Sequence, residues 1–196
     1  ILIPPRRRMF MKFLYNGSFR TPDNFYVYPY YTGLSQLALV NRAREQYDGL
    51  DIVLKEFTAM FLYNIAKPYW KKKHICLVDE KYSTRAQDNG YYFFKHCMEH
   101  DEETYLGQKI YYVITKDSPD YDMIRPYKKN VVHFMTIRHM CYILAAELLV
   151  STDARSHIYA QRSRHSIFTR YTKNLPFVFL QHGVTALKRV DFFYGK

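Results

Sequence analysis

An alternation of short apolar segments with helical segments after Lys73 constrains the fold most. The apolar segments are rich in Val, Ile, Tyr and Phe and lack Pro and Gly, which is typical of buried parallel strands. They are Ile75–Val78, Ile110–Thr115, Val131–Phe134, Leu148–Ser151 and Phe177–Leu180. Helical patterns occupy Asp88–His100 and Thr136–Glu147. The alternation predicts right-handed crossovers and a doubly wound α/β sheet over residues 74–196.

Residues 1–33 have a different pattern, which indicates turns and short strands. Asn16–Gly17 is a dipeptide suited to a tight hairpin turn, and the aromatic segment Phe25–Tyr31 follows it. Pro29 within that segment favours an edge strand, because proline has no N–H to donate to a second neighbour. We therefore expect a small β-rich piece at the N-terminus, the end of an upstream region.

Residues 34–73 are expected to be helical. Leu34, Leu37, Leu39 and Val40 recur at a helix-like spacing, and Asp51–Ala66 carries a second apolar pattern of the same period. Proline in Lys67–Pro68 predicts the end of that second helix.

Composition excludes several classes of protein. With 48% hydrophobic residues the chain can form a core, and a net charge of +11 favours anionic partners. The three scattered cysteines have no metal-ligand spacing, which argues against a disulfide framework or a zinc site and favours a reducing compartment. The longest apolar stretch, Met140–Val150, is interrupted by Glu147 and is too short to span a bilayer.

An aromatic and basic cluster follows Pro68. Trp70 with Lys71, Lys72 and Lys73 is the pattern of an interfacial membrane contact to anionic lipid. The alternative is an ordinary solvated helix end with Trp70 partly packed.

Ligands of doubly wound sheets bind beyond the carboxyl ends of the strands, which directs attention to the loops after Val78, Thr115, Ser151 and Leu180. In the last of these loops a neutral His182 has the chemistry to take a proton from a hydroxyl near pH 7. Gly183 would let the backbone approach a ligand, and Lys188 would hold phosphate charge. The alternative is that His182 caps a helix and Lys188 is solvated.

A second group of polar residues follows the first strand of this region. Glu80, Arg85, Asp88 and Asn89 would line the mouth of the cleft and bind a polyol or a phosphate. Asp88 and Asn89 also have a structural alternative, since either side chain can cap the helix that begins there.

Two other patterns are given little weight. The carboxylates of Asp120 and Asp122 have a metal-binding spacing, but they follow Ser118–Pro119 in an expected loop, so we interpret them as a solvated turn and predict no metal site. A basic stretch with interleaved aromatic residues, Arg155 to Tyr171, suits single-stranded nucleic acid or a phosphate polymer equally well.

Four blocks of the sequence resemble the CDP-glycerol glycerophosphotransferase family, the bacterial enzymes that prime and polymerise teichoic acids and similar capsule polymers. The resemblance covers residues from about 73 onward. Two blocks, Asp-Asn-Gly followed by Phe-Lys and Gln-His-Gly followed by Leu-Lys, are fairly specific in combination. The blocks are Ile75–Glu80, Ala86–Lys95, Tyr111–Lys116 and Phe179–Lys188.

The resemblance implies a GT-B architecture, in which a Rossmann-like acceptor-side domain precedes the nucleotide-binding domain. It assigns His182 as general base toward the acceptor hydroxyl, with Gly183, Lys188, Asp88 and Asn89 at motif positions. It further implies CDP-glycerol as donor substrate without a bound cofactor, a lipid-linked or polymeric phosphate acceptor, and work at the cytoplasmic face of an anionic membrane. The chain would then stop before the nucleotide-binding domain.

Two alternative functions stay open at this point. One is a GT-B glycosyltransferase half that uses a nucleotide sugar. The other is a non-catalytic module that binds an anionic polymer or nucleic acid through its basic surface. The resemblance favours the transferase, for which no nucleic-acid partner is expected.

Overall fold

The structure, a computed structural model, describes residues 19–31, 37–100, 104–160 and 166–181. A small antiparallel sheet comes first along the chain and consists of β1 (Phe19–Arg20), β2 (Phe25–Tyr31) and β3 (Leu37–Ala43), with β2 in the middle. This agrees with a β-rich N-terminal piece. The expected hairpin at Asn16–Gly17 lies outside the described residues.

Two expectations for this sheet are wrong. The segment expected to continue as helix after Gly33 contains the strand β3, in which exposed Leu39 alternates with half-buried Ala38 and Val40. This is the two-residue period of a strand. β2 is the middle strand rather than an edge strand, because β1 pairs with one side of it and β3 with the other, where Pro29 lies opposite Leu39.

Two helices connect the sheets. Helix α1 spans Leu50–Ile65, within one residue of the predicted bounds, and α2 spans Lys67–Lys71. Pro68 stands in the first turn of α2, where a missing N–H removes no helical hydrogen bond. None of the helices in the described ranges is long and apolar enough to cross a membrane.

The second sheet contains all five predicted strand segments. In the described chain its order is β5-β6-β4-β8-β9, and β7 also pairs with β6, at Tyr112–Ile114. Every pairing is parallel except the β5–β6 hairpin. The strands are β4 (Ile75–Asp79), β5 (Thr104–Tyr105), β6 (Gln108–Ile114), β7 (Val131–His133), β8 (Ala146–Ser151) and β9 (Phe177–Phe179).

Helices cover both faces of this sheet. Ile75 and Leu77 of β4 pack in the core cluster that includes residues of α1 and α5, whereas Cys76 and Val78 pack in the cluster that includes α3. Burial on both faces explains why the strands are continuously apolar. The further helices are α3 (Asn89–Glu99), α4 (Tyr121–Ile124), α5 (Ile137–Ala145) and α6 (Ile167–Asn174), with 3-10 helices at Lys81–Ser83, Arg125–Asn130 and Arg155–Ile158.

The described residues form a mixed α/β fold that is compatible with a Rossmann-like domain, while a GT-B architecture stays a prediction. Cys76, Cys97 and Cys141 are buried free thiols. Burial raises the pKa of the Cys76 thiol to about 12, which keeps it protonated.

Candidate functional site

A cleft of about 620 Å³ opens at the carboxyl edge of the parallel strands. Three of the four loops singled out in the sequence, those after β4, β6 and β8, contribute to its wall, and the fourth begins at the end of the described residues. Tyr47 and the adjacent Glu45 close the cleft from the segment before α1. Its polar and ionisable lining includes Glu45, Tyr82, Thr84, Arg85, Thr115, Asp117, Ser118, Ser156 and His157.

Asp79 ends β4 and is completely buried at this edge. Burial raises its pKa to about 7, whereas the hydroxyls of Ser151 and Ser83 lower it and the charge of Asp153 raises it further. The Ser83 hydroxyl lies 3.4 Å from Oδ2 of Asp79. A carboxyl group with this pKa exchanges its proton near neutral pH.

Glu80 is turned into the protein and does not line the cleft. Its Oε1 accepts the backbone N–H groups of Gln87 and Asp88, at 2.5 and 2.9 Å, and its Oε2 accepts that of Tyr91 at 2.9 Å. Burial raises the pKa of Glu80, and these three hydrogen bonds oppose the shift. The side chain expected to bind substrate is thus used to fix the start of α3.

The Asp-Asn-Gly block forms the beginning of α3. Asp88 is the N-cap residue, and its carboxylate accepts the N–H of Asn89 at 2.8 Å, as the capping alternative expected. A Cβ on Gly90 would lie 3.0 Å from Oε2 of Glu80 and 3.1 Å from the carbonyl oxygen of Asp79. A side chain at this position would require α3 or the end of β4 to shift by a few tenths of an ångström.

Asn89 joins the two sequence blocks. Its side-chain Nδ2 donates a hydrogen bond of 2.5 Å to the carbonyl oxygen of Gln181, a residue 92 positions further along the chain. Gln181 directly precedes His182. His182, Gly183 and Lys188 themselves lie outside the described residues, so their predicted roles stay predictions.

Arg85 lies in the cleft wall with a partly exposed side chain, 3.9 Å from Asp120. The expectation that Asp120 belongs to a solvated turn is wrong. Asp120 is buried, and its carboxylate accepts the N–H of Ala86 and the side-chain amide of Gln87, each at 3.0 Å. Asp122 is exposed as expected, and the described residues contain no cluster suited to a metal ion.

His157 is a cleft residue whose role the sequence did not reveal. Its Nδ1 is buried 3.5 Å from Oδ2 of Asp153, and its ring stacks on Tyr82 with the ring centres 3.9 Å apart. About a quarter of the His157 side chain, 26%, is exposed. An imidazole in a cleft wall beside a carboxylate is a candidate for proton transfer, although Nδ1 makes no hydrogen bond among the described residues. The one sequence feature that could have indicated this role is the four-residue spacing of Asp153 and His157 after β8.

The backbone opposite His157 is strained. Lys81, Tyr82 and Ser83 have φ values of 46°, 58° and 57°, a conformation that costs roughly 1–2 kcal/mol per non-glycine residue. Asp153 stabilises this turn by accepting the N–H of Tyr82 at 2.8 Å. Strained turns of this kind are characteristic of functional sites.

The cluster considered for membrane contact divides into two parts. Trp70 packs partly against the core: its Nε1 donates to the Leu62 carbonyl at 3.3 Å and its ring meets Tyr142 edge-on. Lys71 and Lys72 are exposed, whereas Lys73 lies half-buried over the ring of Tyr69. Their contact with lipid stays a prediction.

The basic stretch after β8 is described only in part. The guanidinium of Arg155 donates to the carbonyl oxygen of Lys173 at 2.6 Å and lies over the ring of Phe177. This arginine therefore has a structural role in connecting the 3-10 helix to the segment around β9. Residues 161–165 lie outside the described ranges.

Comparison with known proteins adds one relative. The minor teichoic acid biosynthesis protein GgaB of Bacillus subtilis (strain 168) is 29% identical to the chain over 133 residues, which are 68% of this chain and 14% of GgaB. The chain thus matches only a small part of the length of that curated relative. No protein-family model matches the chain, and no solved structure matches it. The similarity to GgaB supports the relation to teichoic acid biosynthesis that the sequence blocks indicate.

Proposed function

We propose that the chain is part of a transferase of teichoic acid or capsule polymer synthesis. The transferase would move glycerol phosphate, or a related polyol phosphate, from a CDP-activated donor to a lipid-linked or polymeric acceptor. The similarity to a minor teichoic acid biosynthesis protein and the order of the sequence blocks support this proposal.

One observation carries the proposal furthest: the hydrogen bond from Asn89 to the carbonyl of Gln181. It joins the Asp-Asn-Gly block and the strand that leads to His182 at the carboxyl edge of the sheet, where the cleft opens. The two blocks that carry the family resemblance therefore belong to one spatial unit, as parts of one active site should.

The proposed step is a phosphoryl transfer. His182 takes the proton of an acceptor hydroxyl, and the acceptor oxygen forms a bond to the β-phosphorus of the donor while the bond from that phosphorus to the oxygen of CMP breaks. CMP then leaves. Lys188 and the backbone at Gly183 would hold phosphate charge, and Arg85 in the cleft wall can hold acceptor phosphate.

We also propose that Lys71 and Lys72, together with Lys73, contact an anionic membrane surface, which would place the protein at the cytoplasmic face of the bacterial membrane. Lys71 at the end of α2 and Lys72 directly after it are exposed, which supports a contact of about 1 kcal/mol per basic residue with anionic lipid.

The test is release of CMP by the protein at its natural length, incubated with CDP-glycerol and a glycerol-phosphate acceptor. CDP-ribitol and UDP-sugars complete the donor panel. CMP release that disappears in His182→Ala is the expected result. Release of a uridine nucleotide instead would assign the protein to the glycosyltransferase alternative and refute the proposal.

Asn89→Ala tests the link between the two blocks. The loss of one hydrogen bond should cost about 0.5–1.5 kcal/mol of stability, while misplacement of the loop carrying His182 should slow transfer about 10²-fold. Asn41→Ala, at an exposed position of β3, is the matched control and should keep the full rate. Equal rates in the two variants would show that Asn89 does not position the site.

A further inference from the structure

The outer face of α1 carries large apolar side chains that are between 65% and 82% exposed. Steps of four, three, four and four residues place them in one arc of the helix. The opposite arc, with Ile52 and Ala59, packs in the core. We call this set the α1 stripe; it consists of Leu50, Leu54, Phe57, Phe61 and Ile65.

A contiguous apolar surface of this kind marks a site that another molecule covers. The stripe extends over 15 residue steps, which is about 22 Å at the rise of an α-helix. A whole Phe side chain presents about 150–250 Å², so five large apolar side chains that are each at least 65% exposed offer on the order of 500 Å² per copy. Two such stripes packed together approach the roughly 1,000 Å² that a specific interface needs.

The spacing of the stripe is nearly the same when read in either direction. Two antiparallel α1 helices related by a twofold axis near Phe57 would place Leu54 of one copy against Phe61 of the second copy. The same register places Leu50 against Ile65. A twofold contact requires a surface that is complementary to itself, and the stripe meets this condition.

The charges at the two ends of α1 favour the same arrangement. Asp51 in the first turn has an exposed carboxylate, whereas Lys67, Lys71 and Lys72 follow the last turn. In an antiparallel pair the acidic end of one helix lies beside the basic end of the other, and the helix dipoles also oppose. A lipid surface would instead favour basic residues along the flanks of the stripe, where Asp51 and Thr58 stand.

We propose that the α1 stripe is covered by the α1 stripe of a second copy of this chain, as an antiparallel helix pair about a twofold axis near Phe57. The proposal does not depend on the proposed transferase activity, since it rests on the exposed surface of α1 alone.

Sedimentation velocity of the protein at its natural length tests the pairing. The wild-type protein should sediment as a dimer at micromolar concentration. Phe57→Asp should lose the dimer, because it places two carboxylates at the axis. The matched control is Leu106→Asp, which charges a 71% exposed leucine in the β5–β6 turn and should leave the dimer intact.

Cysteine cross-linking tests the register and does not depend on the behaviour of the charged variant. The three native cysteines are buried, so introduced thiols react selectively. In mild oxidant, Phe57→Cys should form a disulfide-linked dimer, and a mixture of Leu54→Cys and Phe61→Cys proteins should cross-link to each other. Leu106→Cys should not cross-link.

Three results would overturn the proposal: a monomeric wild-type protein, a Phe57→Asp variant that still dimerises, or absence of the two cross-links. A monomer that binds phosphatidylglycerol vesicles, and loses this binding in Phe57→Asp, would assign the stripe to a lipid surface. A monomer whose unfolding temperature falls in Phe57→Asp but not in Leu106→Asp would assign it to another part of the same polypeptide.

Discussion

Replacing Asp79 by Asn should change how stability depends on pH. The pKa of the buried carboxyl group is raised from 3.8 to about 7, with burial as the largest cause. The folded state therefore holds a proton that the unfolded chain has already released between these two pH values. The contribution of Asp79 to stability is greatest below pH 4, declines as the pH rises toward 7, and changes little above it.

The size of the effect follows from the two pKa values. One pKa unit corresponds to about 1.4 kcal/mol, and integration between pH 5 and pH 8 gives a loss of about 2–3 kcal/mol in the unfolding free energy. An amide does not titrate, so Asp79→Asn should lack this loss. Any packing cost of the amide is the same at both pH values and cancels when the two are compared.

Urea denaturation at pH 5 and pH 8, followed by the fluorescence of the single tryptophan, measures the effect. Asp122→Asn is the matched control, because the side chain of Asp122 is 89% exposed. The buried imidazole of His139, with a pKa lowered to about 3 by burial, contributes in the opposite direction but equally in both proteins. An identical pH dependence in wild type and Asp79→Asn would refute the reasoning.

Two further predictions concern the same edge of the sheet. Gly90→Ala should lower the unfolding free energy by about 1–3 kcal/mol, because the new Cβ would crowd Glu80 and the end of β4; an unchanged urea midpoint would contradict this. His157→Gln should slow CMP release by about 10²–10⁴-fold if the imidazole transfers a proton. The control is His74→Gln, which breaks a 3.1 Å histidine–carboxylate pair with Glu147 at the amino end of β4 and should keep the wild-type rate. If His157→Gln released CMP as fast as His74→Gln, His157 would have only a structural role.

The parallel strands could be predicted from the sequence because the central strands β4, β6 and β8 are largely buried on both faces, whereas β9 is only partly buried. The five segments are only four to six residues long and rich in β-branched and aromatic residues, which favours strands over helices. The predicted ends of helices and strands are less accurate where one element runs directly into the next. Helix α5 ends at Ala145 and β8 begins at Ala146, so Glu147, assigned to the helix, lies in the strand.

The strand β3 could not be predicted because its sequence fits two periods. Leu37 and Val40 suit a helical spacing, while Ala38, Val40 and Arg42 alternate with exposed residues as a strand requires. The segment forms a strand because it pairs with β2, and this tertiary interaction overrides the local preference of the sequence. Burial of Asp120 has the same origin, since its partners are Ala86 and Gln87, more than 30 residues earlier.

The sequence predicts which polar residues lie near the candidate site, but it does not predict which of them face the cleft and which have a structural role. Glu80 and Arg85 follow the same strand, and the sequence predicts that both belong to a group that binds a polyol or a phosphate. In the structure Arg85 faces the cleft, whereas Glu80 accepts three backbone N–H groups inside the protein. A carboxylate that satisfies the unpaired N–H groups of a helix start is stabilised at that position, and no local pattern distinguishes it from a ligand.

The contacts of Glu80 connect the interior to the candidate site. Glu80 holds the first turn of α3, and Gly90 allows that turn to lie against the end of β4. Asn89 lies in this first turn of α3, and its side chain donates a hydrogen bond to the carbonyl oxygen of Gln181. The Asp-Asn-Gly block therefore acts mainly as a support for the strand end that leads to His182. Substitutions at Glu80 or Gly90 should then slow transfer because they shift Asn89, although neither residue contacts substrate in this proposal.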